Sequence, residues 1–150
     1  MPAFITFGRI LFAVLFLYSG AYKLFAIQPT ADLLAAKVTI PAVIAPYIQQ
    51  IETFVSMPFM QLLAITIGAF EIVAGLMIAL NVLTRFFAIL LIIFVCFATF
   101  YFHDFWNQPA PDNYKTLMDA LKNLSLIGAL FVIAGYGRGP RRDEPAYGDV

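Results

Sequence analysis

Glu71 is the one charged residue in the apolar run from 59 to 80. Holding a charge at membrane depth costs about 2.5–3.5 kcal/mol even on gentle insertion scales, so it needs a partner or a task. Counting about 1.5 Å of helical rise per residue, Glu71 lies roughly 13 Å from one edge of its run. Arg9, in the run from 4 to 25, lies about 7–8 Å from the same edge. An Arg9–Glu71 ion pair that organises the helices is therefore expected, because a lone carboxylate there would protonate. A pair that serves only helix register fits the same residues. Gly68 and Gly75, at i−3 and i+4 from Glu71, give that face room for close helix approach.

A second group of polar residues falls near the opposite edge. Lys122 and Asn123 sit about 9 Å inside it, with Asp119 one turn nearer water. Thr99 and His103 share one helix face at i and i+4, as do Ser19 and Lys23. Together these form a candidate ligand site of Lys23, Thr99, His103, Lys122 and Asn123. Its surplus of donors suits a ligand that offers oxygen acceptors, such as a quinone carbonyl or a small anion. The plainer alternatives are that the lysines snorkel to the headgroups and that His103 belongs to an interfacial belt.

Other chemistries find no support. One histidine with no cluster of cysteines or carboxylates predicts neither haem nor a metal centre. Cys96 is the single cysteine, so no dithiol can cycle within the chain, and its expected role is that of a small buried apolar side chain. No phosphate loop or nucleophile elbow is present. A formal net charge of zero without long charged runs excludes nucleic acid as a partner.

The elements that must position these residues follow from composition. With 62% hydrophobic and 12% charged residues in 150, the solvent for most of the chain is lipid. Four runs are long enough to span a bilayer, at about 4–25, 59–80, 85–105 and 117–136. The expected fold is all-α, an integral membrane four-helix bundle over residues 1–137, with a disordered tail over 138–150. The first run lacks a basic flank and a cleavage pattern and reads as a retained span. Between spans one and two, Ile44, Tyr47, Ile48, Ile51, Phe54 and Val55 recur at helical spacing, which predicts a short amphipathic outer helix. Phe100, Tyr101, Phe102, Phe105 and Trp106 mark either an aromatic belt or the wall of a site for a flat ligand. Arg9, Arg85, Arg138, Arg141 and Arg142 share one side, and the positive-inside rule places both termini in the cytoplasm.

Several motifs resemble the DoxX family. They are Gly8-Arg9, Ser19-Gly20 with Lys23-Leu24, Gly68 with Glu71-Ile72-Val73-Ala74-Gly75-Leu76, Leu83-Thr84-Arg85, Phe102-His103-Asp104-Phe105-Trp106, and Lys122-Asn123-Leu124 with Gly128. The resemblance covers residues 8 to 137 and departs from the pattern at Ala129, where relatives often carry a second glycine. It implies a small four-span protein of the bacterial or archaeal inner membrane. Relatives are described as small subunits of terminal quinol oxidases or thiosulfate:quinone oxidoreductases, and others are linked to resistance against quinones, catechols and oxidative stress. Arg9, Lys23, Glu71, His103 and Lys122 correspond to the family's polar positions.

The leading expectation is a quinone-interacting protein that assists a membrane redox reaction or oxidative-stress defence. Quinone would be held non-covalently, with Lys122, Lys23 and His103 as donors, and the electrons would come from a partner or the substrate. Two readings stay open beside it: an accessory subunit of a larger respiratory or quinone oxidoreductase complex, and a small-anion or proton conduit. Homo-oligomers and a catalytic or purely accessory role are compatible with each.

Overall fold

The computed structural model describes residues 2–137, so the tail reading lies outside the described residues. Six α-helices follow one another: α1 (Pro2–Phe25), α2 (Ile27–Lys37), α3 (Ala45–Val55), α4 (Phe59–Ala79), α5 (Thr84–Phe102) and α6 (Asp112–Tyr136). A short 3-10 turn, Phe105–Asn107, precedes α6. Helices α1, α4 and α6, together with α5 continued through Asn107, are long and apolar enough to cross a membrane. Lipid-facing surface explains why side chains as large as Phe4, Phe25 and Phe97 are exposed. The chain is a multi-pass membrane protein.

Local chemistry sets the helix ends. Pro46 occupies the first turn of α3, where a missing N–H costs nothing. Glu52 Oε1 accepts a hydrogen bond from the Phe59 backbone N–H at 2.7 Å, so α3 caps the start of α4. Asn81 and Leu83 both have positive φ, 60° and 47°, and this tight left-handed turn sends α5 back antiparallel to α4.

Packing divides the bundle into two pairs, α1 on α4 and α5 on α6, joined through α4 and α5, while α2 lies against α4. Phe16, Ala74, Ile78, Leu91, Val95 and Leu130 form the buried core between the pairs. Glycine sets the register of the first pair. A Cβ built on Gly20 would stand 2.5 Å from the Gly68 carbonyl oxygen, and one on Gly68 would stand 2.9 Å from that of Gly20. Nearer the other end Gly75 meets Leu17 and Ala13. The backbones therefore touch where no side chain intervenes, as small residues allow in lipid.

Several expectations change. The expected outer helix is α3, but α2 stands before it as a second helix. Its residues Thr30, Ala31 and Leu34 are buried against the bundle. Helix α6 begins at Asp112, ahead of the expected Leu117, and α5 ends at Phe102, which leaves His103 as its C-cap. Cys96 is exposed rather than buried, because it falls on the lipid-facing side of α5.

Candidate functional site

Helices α1 and α4 are antiparallel, and the Gly20–Gly68 contact brings Ser19 and Lys23 to the level of Glu71. Lys23 Nζ donates to both carboxylate oxygens of Glu71, at 2.8 Å to Oε2 and 3.0 Å to Oε1. A third donation goes to Ser19 Oγ at 2.5 Å. Glu71 is 3% exposed, and the ammonium is the countercharge to its carboxylate in this setting.

This corrects the expected Arg9–Glu71 pair. In the register set by the glycines, Arg9 stands opposite the end of α4, and its Nη1 donates to Asn81 Oδ1. Asn81 Oδ1 also accepts from Thr84 Oγ1 at 3.1 Å, which ties the α4–α5 turn to α1. Asn81 is ten residues beyond Glu71, about 15 Å along the helix, too far for one guanidinium to serve both. Depth counted from the span ends placed the two groups within reach; helix register separates them.

The Lys23–Glu71 pair forms part of the wall of a cavity of about 500 Å³. Phe16, Ile67, Phe94 and Leu126 supply apolar wall, and α2 contributes Thr30, Leu33 and Leu34. His103, Asn123 and the Tyr101 hydroxyl are the polar groups contributed by α6 and the end of α5. Asn123 Nδ2 donates to Thr99 Oγ1 at 3.0 Å, while Thr99 Oγ1 donates to the Val95 carbonyl at 2.7 Å. Thr99 thus orients Asn123 from behind and does not itself line the cavity.

Lys122 departs from expectation. It pairs with Asp119 at 2.9 Å, one turn away on the same helix, and its side chain is 70% exposed. One residue on a helix is a turn of about 100°, so Asn123 faces the cavity and Lys122 turns away from it. The aromatic cluster likewise divides. Tyr101 and Phe102 line the cavity, whereas Phe100 and Trp106, with ring centroids 5.7 Å apart, are largely exposed.

The contribution of α2 was not visible in the sequence, because its apolar residues are interleaved with Gln28, Thr30 and Asp32. Contacts across the bundle hold it in place. Lys37 Nζ lies 3.2 Å from Asp104 Oδ1, beside His103, and Gln61 Nε2 donates to Gln28 Oε1 at 2.6 Å. Gln108 adds a bond to the same Asp104 oxygen at 3.2 Å and accepts from Thr116 Oγ1 at 2.6 Å. Among the described residues no group of three or more His, Cys, Asp or Glu could hold a metal ion.

The result is a mostly apolar chamber with one largely buried ion pair, one imidazole, one amide and the hydroxyls of Ser19, Thr30 and Tyr101. Such an arrangement accommodates a flat apolar ligand and offers hydrogen bonds to its oxygens. A family model, DoxX, matches residues 4–104. The matched stretch contains Lys23, Glu71 and His103 and ends before α6, so Asn123 lies outside it. Comparison with curated proteins and with solved structures finds no match.

Proposed function

Because this chain belongs to the DoxX family, we propose that its Lys23–Glu71 cavity takes a quinone headgroup from the bilayer and assists a membrane redox reaction. The observation that carries the reading is a buried Lys23–Glu71 pair in the wall of an otherwise apolar chamber that also holds His103 and Asn123. Its volume of about 500 Å³ falls in the usual range for small-molecule sites.

A quinone supplies two-electron chemistry, with two protons taken up on full reduction to the quinol and the electrons drawn from an external reductant. The chain's own part is positioning and charge. Lys23 presents an ammonium whose three N–H groups are held by Glu71 and Ser19, so it acts on a quinone oxygen through its positive charge, which favours negative charge developing there. His103 and Asn123 provide donors at the opposite wall. Helix α2 helps to exclude water, which strengthens each of these interactions. With both termini cytoplasmic, the cavity faces the outer leaflet.

Mass spectrometry of quinones retained by gently purified protein tests the reading, with wild type beside Ala98→Trp. Ala98 lines the cavity, and an indole there fills it. Retention by wild type and loss in the variant is the expected result. Equal retention places quinone elsewhere and removes the support for this site.

A further inference from the structure

A second cavity, of about 880 Å³, lies at the other end of the bundle, between the first turns of α1 and the last turns of α6. It exists because α1 packs on α4 and α6 on α5, so α1 and α6 barely touch. Phe4, Ile5, Phe12, Val132 and Ile133 make its walls apolar, and Arg9 is its charged residue. Arg9 is also electrostatically incomplete. The ion pairs among the described residues join Lys23 to Glu71, Lys37 to Asp104 and Lys122 to Asp119, and Arg9 takes part in none of them. Its Nη1 donates to the neutral amide of Asn81, while its buried Nε has no hydrogen-bond partner. An uncompensated guanidinium beside an apolar groove asks for an acceptor that carries negative charge and arrives with apolar chains attached.

We propose that this groove binds one anionic phospholipid, with the phosphodiester at the Arg9 guanidinium and an acyl chain lying between α1 and α6. Charge complementarity selects the lipid class. A planar guanidinium matches two oxygens of a phosphodiester, and a zwitterionic headgroup offsets that attraction with its own cation. The apolar walls select a lipid over a free anion. The site is separate from the Lys23–Glu71 cavity and stands or falls independently of it.

Thermal unfolding of the full chain in neutral micelles tests the proposal, with titration of phosphatidylglycerol against phosphatidylcholine of the same chain length. The expected result is a preference for phosphatidylglycerol that weakens about tenfold in Arg9→Gln and persists in Lys122→Gln, whose charge is remote. Should Arg9→Gln fail to fold, Val132→Trp fills the groove while leaving Arg9 in place and is expected to weaken the preference by a similar factor. Equal stabilisation by the two lipids overturns the proposal, as does a preference that survives both variants. Stabilisation by inorganic phosphate equal to that by the lipid overturns it in favour of a free-anion site. A preference that emerges only after deletion of residues 138–150 overturns it in favour of the chain's own tail, which carries Asp143 and Glu144.

Discussion

Lys23 and Glu71, 48 residues apart in sequence, meet with Nζ 2.8 Å from Oε2, and Glu71 has no other cation within ion-pair distance among the described residues. The contact exists because Gly20 and Gly68 let α1 and α4 touch at their backbones. Fold and site therefore depend on the same few residues.

Removing one partner of this pair is expected to cost more than removing both. Lys23→Met leaves a carboxylate without its countercharge and should destabilise the bundle by about 2 kcal/mol or more, since lone buried charges are heavily penalised. The Lys23 side chain is 23% exposed, which keeps the figure at the low end. The double variant Lys23→Met/Glu71→Leu should recover most of that loss. Reversible unfolding of the three proteins in mixed micelles measures the difference, and additive losses would contradict the pairing.

Glycine substitutions separate packing from mere helicity. Gly20→Ala places a methyl 2.5 Å from the Gly68 carbonyl oxygen and is expected to cost about 1–3 kcal/mol through forced separation of α1 and α4. At Gly128 a methyl meets nothing within 4 Å, so Gly128→Ala should be neutral or slightly stabilising. The same unfolding assay compares them. Equal effects would mean that the helices do not approach as described.

The turn at Asn81 offers a test of the Arg9 end. Asn81→Ala loses the acceptor for Arg9 and Thr84 and places a non-glycine side chain at φ 60°, whereas Asn81→Gly loses the bonds but relieves the backbone. Alanine should therefore be the more destabilising, by about 1 kcal/mol over glycine. Thermal midpoints of the two variants check the order.

Much of this architecture was legible from composition. Long apolar runs interrupted by prolines and polar loops locate four spans, and the helical spacing from Ile44 to Val55 locates α3. The site was legible in part. Glu71 announced itself as a carboxylate at membrane depth, and Lys23, His103 and Asn123 lay on the correct side. Two things were not. Counting depth from span ends carries an error of a turn or more, and that error assigned Glu71 to Arg9. The glycines at 20, 68 and 75 held the true register, but only as a pattern across two helices. The direction of Lys122 is set by the rotation of α6, which its sequence does not reveal because Asp119, Lys122, Asn123 and Ser125 spread polar groups over several faces.

Lys122 consequently becomes a control rather than a ligand. Lys122→Leu should alter stability by less than about 0.5 kcal/mol and leave ligand affinity within about twofold, as for an exposed pair within one helix. Asn123→Ala should weaken binding through loss of a cavity donor.

The central claim is that the Lys23–Glu71 cavity binds a quinone. Equilibrium binding of a short-tailed benzoquinone to the purified chain tests it directly, with wild type beside the Lys23→Met/Glu71→Leu variant after its fold has been verified by unfolding. The account predicts one equivalent bound by wild type and affinity at least about tenfold weaker in the variant, as for the loss of a charged group from the wall of a site. Identical binding by both proteins, or none by wild type, would contradict it.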